Sequence, residues 1–243
     1  MKKILISLLL CFSLPLMASD FEKEQRWKDQ IADFLIDGEP LMLEVDGHEI
    51  FAIYTEADEN PKKRGMIVIH GIGAHPDWSQ VVQPVRVEMT QYGWDTLSIQ
   101  MPVLANGVDG HQYRPIFKEV APRIEAGILA LQENGIKEIV LVSHSMGSAM
   151  STYYIANNPN TVISNFVAIG LSDASLVGKV QLPMLDLYGS EDLPSVLNTV
   201  KAREKAANSA NNKYYKQVVV PGAGHFFEGK NEILIDEINA WLK

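Results

Sequence analysis

Cysteine is almost missing from these 243 residues: the single one, Cys11, sits inside an apolar N-terminal run. One cysteine makes no internal disulfide and no cluster of thiolate metal ligands. Cys11 is also poorly placed for lipid attachment, because Leu10 precedes it where a small residue is expected. Positive charge is scarce too. Lys and Arg total 21 against 30 Asp and Glu, a formal charge of −9, which argues against nucleic acid and anionic membrane surfaces as partners. Beyond the N-terminus no apolar run is long enough to span a bilayer. No H-E-x-x-H or comparable spacing occurs, so His70, His75 and His111 form no recognisable metal motif. Gly71-Ile72-Gly73 lacks the third glycine of a dinucleotide fingerprint, whose place falls at Pro76. No cofactor is implied. There is no internal repeat, no low-complexity tract and no sign of a second domain.

What is present begins with Met1-Lys2-Lys3, a short basic stretch, followed by an apolar run over residues 4–14 and then Leu16-Met17-Ala18 before Ser19. This pattern predicts a signal peptide over residues 1–18, cleaved near Ala18/Ser19, and hence a secreted or periplasmic protein. Cleavage takes two lysines and the only cysteine, moving the formal charge from −9 to −11. Residues 19–243 are then one domain, long enough to bury a sizeable core.

Residues 20–36 have helical amphipathic spacing, with Phe21, Trp27, Ile31, Phe34 and Leu35 on the apolar side. Residues 41–45 and 49–55 alternate apolar and polar around Asp46-Gly47, a tight-hairpin signal. From Gly65 onward strands and helices alternate. Strand-like runs cover 66–70, 95–100, 138–143, 164–171, 183–188 and 214–220; helical stretches cover about 79–92, 116–134, 146–157, 195–210 and 231–242. Repeated strand–helix units predict a mostly parallel, doubly wound sheet covered on both faces.

Chemistry-bearing residues fall at the ends of these strands. The β-branched run 139–142 stops at Ser143-His144-Ser145-Met146-Gly147, and a helix follows directly. Strand, sharp turn and helix around a small-x-Ser-x-small motif form the context of a nucleophile elbow. Ser143 stands where glycine is commoner. Upstream, residues 65–69 run into His70-Gly71-Ile72-Gly73. Downstream, a strand leads to Gly189-Ser190-Glu191-Asp192, and the last strand leads to Gly222-Ala223-Gly224-His225. Asp186 lies within its strand, so its side chain should meet the sheet surface. Asp173 is a second candidate acid.

Taken together, these motifs resemble the α/β-hydrolase superfamily, whose triad runs in the order Ser, acid, His with an oxyanion loop upstream. The resemblance covers nearly all of residues 19–243. It extends to exported proteobacterial α/β-hydrolase-like proteins of unassigned substrate. It implies Ser145 as nucleophile, His225 as general base and acid, Asp192 as the carboxylate orienting it, and the backbone N–H groups of Ile72 and Met146 as the oxyanion hole. The chemistry implied is cleavage of a small-molecule or lipid-like carboxylic ester or thioester through an acyl-enzyme. Amide hydrolysis by the same triad, or a non-catalytic binding role in the cell envelope, are the alternatives. Residues 173–181 leave no room for a large lid between the sixth and seventh strands, so Trp78, Leu104 and Tyr113, on long loops at the carboxyl edge of the sheet, are expected to line the substrate pocket. His144, at the x position of the elbow, is expected to touch the wall of the site.

Overall fold

The computed structural model describes residues 19–243; the expected signal peptide lies outside the described residues. The first helix, α1 (Phe21–Ile31), starts where the Asp20 carboxylate accepts the Lys23 N–H at 2.9 Å, capping an otherwise unsatisfied donor. It tightens into a 3-10 turn over Ala32–Phe34, so the helix stops short of residue 36. A hairpin follows, formed by β1 (Glu39–Val45) and β2 (His48–Thr55), with Val45 opposite His48. Asp46 and Gly47 both take positive φ, 49° and 82°, as a two-residue type I′ turn requires.

The remaining strands are β3 (Arg64–Ile69), β4 (Trp94–Ile99), β5 (Glu138–His144), β6 (Ile163–Ile169), β7 (Met184–Gly189) and β8 (Tyr215–Val220). All eight join one sheet in the order β1-β2-β4-β3-β5-β6-β7-β8. The β1–β2 and β2–β4 pairings are antiparallel and the others parallel. Along the central strands apolar side chains alternate between two cores. Ile67, Ile69, Leu141 and Phe166 face one; Met66, Val68, Val142 and Val167 face the other. A sheet apolar on both faces needs helices on both. Helices α3 (Val120–Glu133) and α4 (Met146–Asn157) cover the first face, contributing Ile124, Leu131, Met150 and Tyr154. Helices α2 (Val82–Glu88) and α7 (Asn231–Leu242) cover the second, contributing Val82, Val85, Leu234 and Ile238. Helix α1 packs Ile31 and Trp27 against Phe51 and Ile53 of β2 in a small third cluster.

Three expected helices are shorter or divided. Helix α2 begins at Val82 because Val81 takes a positive φ of 63°. The stretch Gly110–Glu119, which contains Pro115, winds as 3-10 helix before α3. The expected 195–210 helix breaks into α5 (Pro194–Leu197) and α6 (Val200–Ser209). Between β6 and β7 there is only a single 3-10 turn, Val177–Lys179, so no lid domain stands there.

Asp186 projects from β7 toward α6. Its Oδ2 accepts from Arg203 Nε at 2.7 Å, Tyr215 Oη at 2.6 Å and Gln217 Nε2 at 2.9 Å, and both ions are fully buried. Removing one partner strands the other charge in the interior. Asp186→Ala is therefore expected to lower unfolding free energy by about 3–5 kcal/mol, and Asp186→Ala with Arg203→Met to recover most of that loss. Urea titration of the single and double variants measures both; equal losses for the two would contradict the buried-charge account.

Candidate active site

Parallel strands end at the same edge, and the residues singled out above converge there. At the end of β5 the chain turns so sharply that Ser145 adopts φ 57°, ψ −121°, a conformation rare for a residue with a Cβ. Several contacts hold it. The Ser145 N–H donates to the Ile169 carbonyl of β6 at 2.8 Å. The Ser148 hydroxyl lies 2.7 Å from the Ser143 carbonyl and 2.9 Å from that of Ile169. Gly147 sits so close to β3 that a Cβ there would lie 2.4 Å from the His70 carbonyl oxygen. Ser143 fits where glycine is commoner because its hydroxyl meets that of Ser151 on α4 at 2.6 Å.

His225 and Asp192 are tied to each other by their own loops. The N–H groups of Ser190 and Glu191, after β7, donate to the carbonyls of Val220 and Ala223, each at 2.9 Å. The Gly222 N–H donates to Ser190 Oγ at 2.8 Å. This lashing brings Asp192 Oδ1 to 2.6 Å from His225 Nδ1, and His225 Nε2 lies 2.8 Å from Ser145 Oγ. Burial pushes the Asp192 carboxyl up, but the His225 contact and the N–H groups of Leu193 and Gly189 outweigh it and leave the group below its ordinary value. Asp192 is thus an anion next to Nδ1, which keeps the proton there and leaves Nε2 free to accept from the serine. Gly170 clears space for the ring: a Cβ there would stand 2.9 Å from His225 Cε1. Asp173 pairs instead with Arg114. Glu191 is exposed.

Two further histidines serve this arrangement. His70 is buried and its Nε2 accepts from the Met101 N–H at 2.9 Å, so its proton sits on Nδ1, 2.9 Å from the Gly71 carbonyl. It ties the loop after β3 to the end of β4. With both ring nitrogens engaged, His70 does not turn toward His75 or His111, and no cluster of three metal-ligating side chains occurs among the described residues. His144 is also buried, its ring beside those of His225 and Phe226, and its Nε2–H donates to the His225 carbonyl at 2.9 Å. Sequence pattern placed His144 only at the wall; its partner lies 81 residues away, which no local motif discloses.

Ile72 follows this loop and is 40% exposed. Among the described residues, the N–H groups of Ile72 and Met146 donate to no backbone carbonyl. Two of the three residues expected to line the pocket pack into the core. Leu104 and Tyr113 are core residues, Tyr113 2% exposed, and the Leu104 N–H donates to the Tyr113 hydroxyl at 3.1 Å. The two ends of the loop over 101–115 pack inward at Leu104 and Tyr113, while residues 105–107 between them are exposed. Trp78 is half-buried against the core that α2 and α7 cover, edge-on to His75.

An eight-stranded sheet in this order, with serine at the elbow after β5 and acid and histidine after β7 and β8, is the α/β-hydrolase fold. Within it, the chain belongs to the family described as "Protein of unknown function (DUF3530)", which matches residues 20–110 and 109–243. No curated protein matches it. Among solved structures, Est1E from Butyrivibrio proteoclasticus is 17% identical, with a TM-score of 0.69 over 85% of this chain and 98% of that one. An alpha-beta serine hydrolase homologue from Coxiella burnetii is 18% identical, TM-score 0.68, over 86% and 100%. XC6422 from Xanthomonas campestris, titled an a/b serine hydrolase without lid, is 16% identical, TM-score 0.67, over 86% and 95%. These likenesses are of fold.

Burial holds His70 at about 3 and His144 at about 4, against an ordinary 6.5. An unfolded chain therefore binds more protons than the folded one below pH 6.5, and stability present above that value is lost as pH falls toward 4 and 3. His144→Gln, which keeps a donor for the His225 carbonyl but does not titrate, is expected to flatten the fall in unfolding free energy between pH 6.5 and 4. Urea unfolding at several pH values reads the slope; an unchanged slope contradicts a neutral buried His144.

Proposed function

We propose that this protein is an exported serine hydrolase cleaving a carboxylic ester or thioester. The observation that carries the reading is the continuous hydrogen-bonded line from Asp192 through His225 to Ser145, at 2.6 and 2.8 Å, ending on a strained elbow. A free serine hydroxyl is a weak nucleophile, and a base at Nε2 relieves it of its proton as it attacks. His225 takes that proton and returns it to the leaving group, while Asp192 steadies the imidazolium without being protonated itself. The Ile72 and Met146 N–H groups, which among the described residues donate to no backbone carbonyl, are available to the oxyanion. Water then repeats the sequence on the acyl-enzyme and frees Ser145.

Two features support an ester or thioester with accessible ends. No lid stands between β6 and β7, and Ile72, in the oxyanion loop, and Leu193, next to Asp192 in the chain, expose apolar surface, 40% and 46%. Est1E, of the same fold, has also been solved with ferulic acid bound. Among the described residues no helix is long and apolar enough to cross a membrane.

A fluorophosphonate probe on purified protein tests the reading. Wild type is expected to label on Ser145; Ser145→Ala is expected not to label, and His225→Ala to label at least about 100-fold more slowly, as for loss of a general base. A panel of p-nitrophenyl esters, thioesters and anilides then ranks the bond cleaved. A folded wild type that neither labels nor turns over any of them contradicts the hydrolase reading and favours a binding role.

A further inference from the structure

Buried charge at the start of the described chain is out of balance. Arg123, on α3, is fully buried. Its Nη1 donates to Glu24 Oε2 at 2.9 Å and to the Gln100 carbonyl at 3.0 Å; its Nη2 donates to Glu24 Oε1 and to Ser19 Oγ, each at 3.1 Å. A second carboxylate, Glu119, lies 3.8 Å from Nη2. Ser19 grips both oxygens of Glu119, its N–H donating to Oε1 at 3.3 Å and its hydroxyl to Oε2 at 2.7 Å. Among the described residues, two carboxylates therefore face one guanidinium. The other charged groups nearby on α1 offset each other: Asp20 caps the helix, and the Lys23 ammonium is engaged by the Leu104 carbonyl and Asn106 Oδ1. Burial outweighs Arg123 at Glu24 and holds its carboxyl above the ordinary value, with Glu119 pushing the same way. A second cation would close the balance. The Ser19 nitrogen, aimed at Glu119, is where one can arise.

We infer that Ser19 carries a free α-amine in the working protein, released by a leader peptidase, and that the resulting ammonium docks on Glu119 as the missing cation of the Arg123–Glu24–Glu119 cluster. The step is hydrolysis of the Ala18–Ser19 amide. Its C–N bond breaks, water supplies the second oxygen of an Ala18 carboxylate, and the Ser19 nitrogen gains both protons to become an ammonium. Cleavage precedes folding, so the burial of Ser19 does not obstruct it. Processing thereby supplies a tie between α1, the Gly110–Glu119 segment and α3. The inference rests on the export reading alone and is independent of the chemistry at Ser145.

The sign of its pH dependence follows. An ammonium held on Glu119 has a raised value when folded. Its contribution is complete below the ordinary α-amino value of about 8 and is lost as pH rises through the folded value. The test uses a protein beginning at Ser19 and one with a single glycine added ahead of it, each with Glu119 and with Glu119→Gln. At about pH 6 the added glycine is expected to lower Tm by about 3–6 °C when Glu119 is present and by less than about 1 °C in the Glu119→Gln background, and the difference is expected to fade above about pH 10. Equal shifts in both backgrounds, or none in either, overturn the docking. If Glu119→Gln does not fold, titration of the α-amine of the Ser19 protein by NMR decides: a value above the ordinary range supports the pair, and one within or below it overturns it. Intact mass of protein exported by a bacterial host is expected to begin at Ser19; another start overturns the processing.

Discussion

Everything at the candidate site depends on the backbone of Ser145 staying in a conformation it would leave if free. A non-glycine residue at φ 57°, ψ −121° costs on the order of 1–3 kcal/mol, and the surrounding structure must hold it there. The hold is steric and hydrogen-bonded together. Gly147 lets α4 approach the end of β3, where any Cβ would strike the His70 carbonyl. The Ser145 N–H and the Ser148 hydroxyl then tie the turn to Ile169 on β6. A turn fixed from both neighbouring strands cannot relax by moving one of them, so the hydroxyl stays at the strand ends where Asp192 and His225 arrive.

The histidines divide the labour through burial and tautomer. His70 carries its proton on Nδ1 because its Nε2 accepts from Met101, and His144 carries its proton on Nε2 because it donates to the His225 carbonyl. Both are neutral because a buried imidazolium would lose its hydration. The neutrality of His144 matters to His225, whose ring lies beside it: a second cation there would oppose formation of an imidazolium during any proton transfer. Only His225 of the three has an anion at one nitrogen and a hydroxyl at the other. Identity of residue type thus says little; which group faces each nitrogen says nearly everything.

The sheet was legible in the sequence because both of its faces are apolar and its strands end at turn residues. Helices α4 and α7 have the expected bounds, since uninterrupted helical spacing marks both ends. Ser145, Asp192 and His225 stood out because each follows a strand, and parallel strands deliver their carboxyl ends to one edge. Less legible was the packing of the loop over 101–115. Leu104 and Tyr113 looked like pocket residues from their position, yet they satisfy each other through the Leu104 N–H and the Tyr113 hydroxyl and pack into the core. Whether a long apolar loop stands open or folds down depends on contacts that periodicity does not encode. The partners of His70 and His144 were hidden for the same reason, being 31 and 81 residues distant.

Away from the site the structure uses a different kind of bond. Three guanidiniums are buried, each fastening a helix to its neighbours. Arg86 joins α2 to the Asp37 carbonyl, Thr55 and Asp77; Arg123 joins α3 to α1; Arg203 joins α6 to β7. The central strands β3, β5 and β6 are held instead by apolar packing on both faces. The division has a physical logic. Apolar packing is dense but non-directional, which suits a core that must only be filled. A buried guanidinium is costly unless its partners are in place, so it stabilises one docking geometry and penalises others. Helices α2, α3 and α6 are thereby fixed in one docking geometry beside the sheet, and the strand ends between them keep the spacing that holds Ser145, His225 and Asp192 together.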